Sequence, residues 1–205
     1  LIKLLTKLTK EHLGAALAPG ATSPAPPANG ADPTLKLLLM VLELLKTRIS
    51  HLGDQRRWFL SAVVQLVEKS PSVELGRFLL NTMRTWVLDG SEPFPTVKEK
   101  AGILIKMLCF EQRSDQALFR DFLDLILAIY KSPALVRSEL TARLESAFLL
   151  GCRHPDARVR GEFITIFDKT LTRSISARLL HLLGYQSWEC LADHYWLHQV
   201  LDLLL

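Results

Sequence analysis

Apolar residues recur at steps of three and four along most of the chain. Between Ser138 and Leu183 this spacing predicts two amphipathic helices joined by a short turn at Arg153, His154 and Pro155. Asp156 is the expected N-cap of the second helix. The two apolar faces are formed by Leu140, Leu144, Ala147, Phe148 and Gly151, and by Val159, Phe163, Ile166, Phe167 and Thr170.

Such a helix pair is not expected to be stable alone. Ordering the backbone costs roughly 1 to 2 kcal/mol per residue, and burying a large apolar side chain gains only roughly 1.5 to 3 kcal/mol. Each pair should therefore pack against neighbouring pairs, as in helical-repeat solenoids.

The same period predicts further helices before Ser138. Their expected inward faces are Leu1, Leu4, Leu5, Leu8 and Leu13; Leu35, Leu38, Leu39, Leu42, Leu45 and Ile49; Trp58, Phe59, Ala62, Val63, Leu66 and Val67; Leu75, Phe78, Leu79, Met83, Trp86 and Val87; Ile103, Leu104, Met107 and Leu108; and Leu118, Phe122, Leu125, Ile126 and Ile129.

Polar residues mark where several of these helices begin and end. Asp32 precedes Pro33 as an N-cap precedes a first helical residue, and Thr96 with Glu99 has capping-box spacing. Ser114 or Asp115 can cap a later helix. Gly90 is expected to be the residue in the left-handed conformation that ends a helix.

The pattern predicts an all-α chain of roughly ten helices, because no alternating strand pattern persists for five residues. A helix-pair spacing of about 40 residues is typical of a HEAT-like helical-repeat solenoid, an α-α superhelix. Residues 1–17 are interpreted as a helix of a preceding repeat, residues 18–33 as a flexible Pro/Ala-rich loop and residues 34–205 as HEAT-like repeats. Since apolar patterns run to both ends, we expect an internal fragment of a much larger protein.

Charge and hydropathy argue against two classes of partner. The net charge is +4, but the basic residues are interspersed with acidic ones. The densest basic points lack interleaved aromatic residues for base stacking, so direct nucleic-acid binding is not expected; they are Arg56 with Arg57, and Arg153 with Arg158 and Arg160. The longest apolar run, Leu37 to Leu42, is far shorter than a membrane span.

Candidate chemistry is sparse. Cys190, His194 and His198 would stack at steps of four on one helix, but Asp193 is the expected N-cap that separates Cys190 from the histidines. Cys109, Cys152 and Cys190 are interpreted as buried free thiols. No nucleophile elbow or phosphate-binding glycine loop occurs, so we predict no catalytic, cofactor-binding or metal residues.

Several charged residues could be mistaken for a site. Glu43, Glu111, Glu139 and Glu145 are expected to lie on solvated helix faces. For Asp156, Arg158 and Arg160, a structural role in caps and inter-repeat hydrogen bonds is favoured over ligand binding.

Three segments carry a resemblance to a known family. Ser138 to Gly151, Gly161 to Asp168 and, above all, Gln186 to Gln199 (QSWECLADHYWLHQ) resemble the TRRAP/Tra family of PI3-kinase-related pseudokinases. The likeness extends over most of Val97 to Leu205 in one collinear order, whereas the first third carries no recognised resemblance.

The resemblance implies a non-catalytic scaffold segment of a nuclear protein. In that family a helical-repeat body organises histone-acetyltransferase coactivator complexes, including SAGA, and receives transcription activators. The family's kinase-like domain lacks phosphotransferase activity and lies outside this chain, so no catalytic residue is carried over. Two alternatives stay open: the helical arm of a catalytically active PI3-kinase-related kinase, and a nuclear-transport HEAT solenoid.

Overall fold

The chain is mainly helical in the residues that its computed structural model describes, which are 1–16, 32–89, 93–113, 115–136 and 138–170. These ranges contain no β-strand and nine α-helices: α1 (Ile2–Ala16), α2 (Pro33–Lys46), α3 (Arg56–Lys69), α4 (Val73–Leu88), α5 (Val97–Lys106), α6 (Gln116–Lys131), α7 (Glu139–Arg143), α8 (Glu145–Cys152) and α9 (Ala157–Thr170). Short 3-10 helices span Ile49–His51, Gly53–Gln55 and Met107–Gln112. The prediction of an all-α chain is confirmed.

The helices form two compact units, Leu1–Phe122 and Leu123–Leu205, and the boundary falls within α6. In the first unit α1 packs on α2 and α3, α3 packs on α4 and α5, and α2 packs on α4. Helices one pair apart therefore stack on each other, which is how repeats of helix pairs share a core. This core is fully buried at, among others, Leu5, Leu38, Leu75, Met83, Leu104, Phe110, Leu118 and Phe122.

Local caps begin the helices as the sequence predicts. The Asp32 carboxylate accepts a hydrogen bond from the Thr34 amide at 2.9 Å, and the Asp115 carboxylate accepts one from the Ala117 amide at 2.9 Å. Thr96 and Glu99 form a complete capping box in which each side chain accepts from the other residue's amide, at 3.3 and 2.8 Å. These side chains satisfy amides that the first helical turn leaves unpaired.

The helix predicted from Ser138 to Gly151 is wrong in one respect, because it is divided into α7 and α8 at Leu144. Leu144 has φ −96° and ψ 12°, outside the helical range. The Thr141 hydroxyl donates its one proton to a neighbouring main-chain carbonyl. The Ser138 carbonyl oxygen lies 2.8 Å away and the Leu135 carbonyl oxygen lies 3.1 Å away. The Thr141 carbonyl accepts from the Tyr130 hydroxyl at 2.7 Å. These bonds hold α7 against the preceding turn.

The turn predicted at Arg153, His154 and Pro155 is confirmed, and the helices on its two sides, α8 and α9, pack against each other. A Cβ atom built on Gly151 would lie 2.5 Å from ring carbons of Phe163, so only glycine leaves room for that ring. Phe163 is fully buried, and its ring centroid is 5.4 Å from that of Phe148. Tyr130 extends the aromatic cluster, with its centroid 4.4 Å from that of Phe148.

Several residues predicted to face inward do not. Trp58 is 69% exposed although it lies within α3, and Leu1 is 65% exposed and precedes the first residue of α1. Leu4 is also exposed, and Leu39, Phe78 and Leu108 are half-buried. Periodicity identifies the buried face but not its width.

One contact joins two neighbouring repeats through the main chain. The Arg113 guanidinium donates a hydrogen bond to the Val67 carbonyl near the end of α3, and its carbon lies 4.6 Å from the centroid of the Phe110 ring. The Cys109 thiol donates to the same carbonyl at 3.4 Å. The end of α3 is thereby tied to the 3-10 helix Met107–Gln112.

Some predictions fall outside the described residues. They concern most of the loop 18–33, the helix end at Gly90, the alternative cap Ser114, the helices beyond Thr170, and Cys190, His194 and His198.

Candidate functional site

The first candidate site is an open cavity of about 520 Å³ at the start of α3, lined by Asp54, Arg57, Trp58 and Ser61. The positions from Arg57 to Ser61 lie within one helical turn, so the guanidinium and hydroxyl sit beside the exposed indole. Trp and Arg are the side chains that most often anchor protein interfaces. Two of the four lining residues, Arg57 and Trp58, are thus of types that anchor protein interfaces.

A second, smaller concavity of about 180 Å³ lies between α4 and α6 in the first unit. Its lining is Arg77, Leu80, Asn81, Arg84 and Asp121. Arg77 is already paired with Asp115 at 3.4 Å, so the groove carries opposite charges rather than a continuous cationic surface. This arrangement does not provide the phosphate-tracking surface that nucleic acids require.

The two neighbouring arginines Arg56 and Arg57 have different environments. The Arg56 guanidinium stacks over the Phe94 ring, 3.8 Å from its centroid, and its Nε lies 3.6 Å from the Glu99 carboxylate. Arg56 is thus held by its own fold, whereas Arg57 is exposed. Sequence reasoning missed the stacking because Phe94 is far from Arg56 along the chain.

The Asp156 carboxylate, the Arg158 amide and the Arg160 guanidinium make hydrogen bonds in the turn between α8 and α9. The Asp156 carboxylate accepts from the Arg158 amide at 2.9 Å, as the predicted N-cap does. The Arg160 guanidinium donates to the His154 carbonyl at 2.9 Å. The predicted cap at Asp156 is confirmed. The Arg160 hydrogen bond lies within the turn of one helix pair, so the inter-repeat hydrogen bonds expected of this group stay a prediction.

The other charged candidates pair locally. Glu43 contacts Lys46 at 3.0 Å and Glu139 contacts Arg143 at 2.7 Å, each on its own helix. Their side chains are about half-exposed, so the prediction of solvated helix faces is confirmed for both.

The two described thiols and the Tyr130 phenol lie partly or fully inside the fold. Cys152 is buried as predicted, but Cys109 is half-buried, and burial raises the pKa of its thiol. Burial likewise raises the pKa of Tyr130 above its ordinary value. Across the described residues, no group of three or more His, Cys, Asp or Glu side chains could hold a metal ion. None of the described helices has the length and apolarity needed to cross a membrane.

Comparison with known proteins decides the family. Residues 1–205 match the family model of the Tra1 HEAT repeat ring region. The chain belongs to the Tra1/TRRAP family. It is 40% identical over 205 residues to the SAGA complex/NuA4 acetyltransferase complex subunit Tra1 of Schizosaccharomyces pombe, with 99% of the chain and 6% of the relative aligned.

Two further relatives agree. The Saccharomyces cerevisiae subunit of the same description is 40% identical, with 100% of the chain and 5% of the relative aligned. The human transformation/transcription domain-associated protein is 34% identical, again with 100% of the chain and 5% of the relative aligned. The chain thus spans about 5 to 6% of the length of these relatives.

The match confirms both the family resemblance and the HEAT-like fold predicted from the sequence. It also includes the first third of the chain, where the residues alone carried no recognised resemblance. A nuclear-transport solenoid is not supported by any of these matches.

Proposed function

We propose that this chain is a non-catalytic scaffold segment of a nuclear subunit that organises histone-acetyltransferase coactivator complexes. The observation that carries the proposal is the match of the whole chain to the Tra1 HEAT repeat ring region, together with relatives described as SAGA and NuA4 subunits. In the proposed role the segment contributes a stack of helix pairs that positions other subunits and receives transcription activators.

The geometry of the described residues supports this role. Among the described residues, the carboxylates of Glu99 and Asp156 are engaged in helix caps, in the Thr96–Glu99 capping box and at the turn before α9. The two cavities present Trp58, Arg57, Arg77 and Arg84, which suit recognition of a protein surface.

Purification of the tagged full-length protein tests the proposal. We expect acetyltransferase subunits to co-purify from nuclear extract and the eluate to acetylate histones. We also expect the purified full-length protein to transfer no phosphate from ATP to protein substrates. A complex without acetyltransferase subunits, or kinase activity that depends on the protein's own kinase-like domain, would contradict it.

Activator reception requires a separate experiment at the cavity of α3. If activators bind there, Trp58→Ala and Arg57→Ala should weaken recruitment of the intact complex by an immobilised activation domain. Leu88→Ala, at another exposed apolar position, is the matched control. Equal recruitment by all three variants would exclude this cavity as the activator site.

A further inference from the structure

The helices α3 and α5 lie side by side in the first unit and run in the same direction. Arg56 at the start of α3 has its Nε 3.6 Å from the carboxylate of Glu99 in the first turn of α5. Glu68 near the end of α3 pairs with Lys106 at the end of α5, at 2.6 Å. Because starts meet starts and ends meet ends, the two helices are parallel.

The helix α1 is parallel to α3 as well. The two helices pack together, and His12 near the end of α1 lies 2.8 Å from the hydroxyl of Ser70, which directly follows α3. They have 15 and 14 residues, so helices whose ends meet in this way also begin within about one turn of each other. The helices α1, α3 and α5 therefore begin at one common edge, which we call the starting edge.

Each of these three helices has a cation as its second residue. They are Lys3 in α1, Arg57 in α3 and Lys98 in α5, and we call them the edge cations. All three residues are exposed. Within the described part of the chain, none of them makes a hydrogen bond or an ion pair. Their charges are therefore available to a partner.

The stability of their own helices does not explain the edge cations. The helix dipole disfavours a positive charge in the first turn and favours a negative one. The helices α2, α4 and α6 follow that rule, since Asp32 caps α2, Glu74 is the second residue of α4, and Asp115 caps α6. The starting edge instead repeats a locally unfavourable placement three times, which indicates a surface that meets negative charge from a partner.

An apolar anchor lies beside the middle edge cation. Trp58 follows Arg57 and is 69% exposed, and both residues line the open cavity of about 520 Å³ at the start of α3. A cavity of this size admits an aromatic or a branched aliphatic side chain. Tryptophan and arginine are the residue types that most often anchor protein interfaces. The starting edge thus combines positive charge with an apolar contact surface.

Acidic residues at the same edge favour a protein over a nucleic acid. Asp54 lines the cavity together with Arg57, and Glu99 lies in the first turn of α5. A duplex presents a continuous row of phosphates, which these carboxylates would repel, and single strands are bound through several stacking aromatic side chains. A protein segment can place carboxylates opposite the edge cations and uncharged residues opposite Asp54 and Glu99.

The spacing of the helices specifies the partner further. Packed helices lie about 8 to 10 Å apart, so the edge cations are expected at about that interval across the three helices. A segment in the polyproline II conformation has three residues per turn and advances about 3.1 Å per residue, so every third side chain lies on one face about 9 Å from the next. Carboxylates at every third position therefore match the edge cations.

We propose that the starting edge binds an acidic segment of a protein partner. Carboxylates at every third position of the segment pair with the edge cations, and an apolar side chain between them enters the cavity beside Trp58. This binding deepens the proposed function at the same cavity and rests on the proposed scaffold role, to which it adds the chemistry of the partner.

Binding of a synthetic peptide by the full-length protein tests the proposal. The labelled probe has glutamate at every third position, with proline and leucine between, and a second peptide of the same composition has its glutamates grouped at one end. The test variants are Arg57→Glu, Lys98→Glu and Trp58→Ala. Lys36→Glu, at an exposed lysine of α2, is the matched charge reversal outside the three helices. Fluorescence anisotropy measures the dissociation constants.

We expect wild type and Lys36→Glu to bind the spaced peptide with equal affinity, and each test variant to bind it at least about fivefold more weakly. Wild type should bind the grouped peptide at least about fivefold more weakly than the spaced one. No binding to wild type, equal affinities of wild type and the test variants, or equal affinities for the two peptides would overturn the proposal. Displacement of the probe by duplex DNA at a lower concentration than by unlabelled peptide would identify a nucleic-acid surface and would overturn it as well.

Failure of the peptide to bind and failure of the proposed function give different results. If acetyltransferase subunits co-purify with the full-length protein while the spaced peptide does not bind, only the proposed partner chemistry is wrong. If acetyltransferase subunits do not co-purify, the proposed function is wrong whatever the peptide does.

Discussion

At the scale of single residues, Gly151 and Phe163 depend on each other. The ring of Phe163 occupies the space that a side chain at position 151 would need, which brings α8 and α9 together. A change in side-chain volume at either position should therefore alter the stability of the second unit.

Removal of the ring should be costly. Phe163→Ala is expected to lower the free energy of unfolding by about 3 to 5 kcal/mol, because the ring is fully buried and leaves a cavity beside Phe148. Urea unfolding of the chain, or hydrogen exchange of α8 and α9 amides, measures the loss. An unchanged urea unfolding curve would show that this face does not contribute to stability.

Replacement of glycine by alanine should lower the free energy of unfolding at Gly151 and raise it at Gly161. Gly151→Ala forces the Phe163 ring to move, and overpacking of this kind costs about 1 to 3 kcal/mol, which exceeds the gain in helix propensity of up to about 1 kcal/mol. Gly161 lies within α9 with no atom within 4 Å of a built Cβ. Gly161→Ala should therefore stabilise the chain by about 0.5 to 1 kcal/mol. Urea unfolding measures both variants. If their free energies of unfolding changed in the same direction, the predicted contrast between the two glycines would be wrong.

At the scale of elements, the capping box at the start of α5 is the clearest case of local stabilisation. Thr96→Ala should lower stability by about 0.5 to 2 kcal/mol, because the Glu99 amide loses its partner. Hydrogen exchange at the Glu99 amide measures the effect directly. Thr85→Ala is the control, since the Thr85 hydroxyl only bonds back to the Asn81 carbonyl in mid-helix. Equal acceleration of the Glu99 amide in both variants would rule out the cap as its cause.

The elements also show what the sequence can and cannot predict. The caps at Asp32, Thr96 and Asp156 were predictable because donor and acceptor lie two or three residues apart. The division at Leu144 was not, since it accompanies bonds that tie Thr141 to Tyr130 and to the preceding turn. For the candidate surface, Trp58 was wrongly assigned to the core because a period of 3.6 does not show how far the packed face extends.

At the scale of the whole molecule, the stability of the packing between α1 and the end of α3 should depend on pH. His12 Nε2 lies 2.8 Å from the Ser70 hydroxyl, and burial lowers the pKa of His12, partly opposed by the charge of Asp32. Below pH of about 6.5 the unfolded chain binds a proton more readily than the folded chain. The contribution of His12 to stability is therefore fully present above that pH and is lost as the pH falls through it.

Replacement of His12 should flatten this part of the pH profile. We expect wild type to lose more stability between about pH 7.5 and about pH 5.5 than His12→Gln, with hydrogen exchange changing mainly in α1 and α3. His51→Gln, at an exposed histidine, is the control for the loss of an imidazole elsewhere in the first unit. A His12→Gln profile that parallels wild type would show that another group titrates here.

The bond from Arg113 to the carbonyl of Val67 has an evolutionary consequence. Every amino acid supplies a main-chain oxygen, so any aliphatic residue at position 67 can accept this bond. Only a long side chain with a donor at its end can reach that oxygen from position 113. Across distant relatives we therefore expect position 67 to drift among apolar residues while arginine or lysine persists at 113, and an alignment of both columns would reveal the asymmetry.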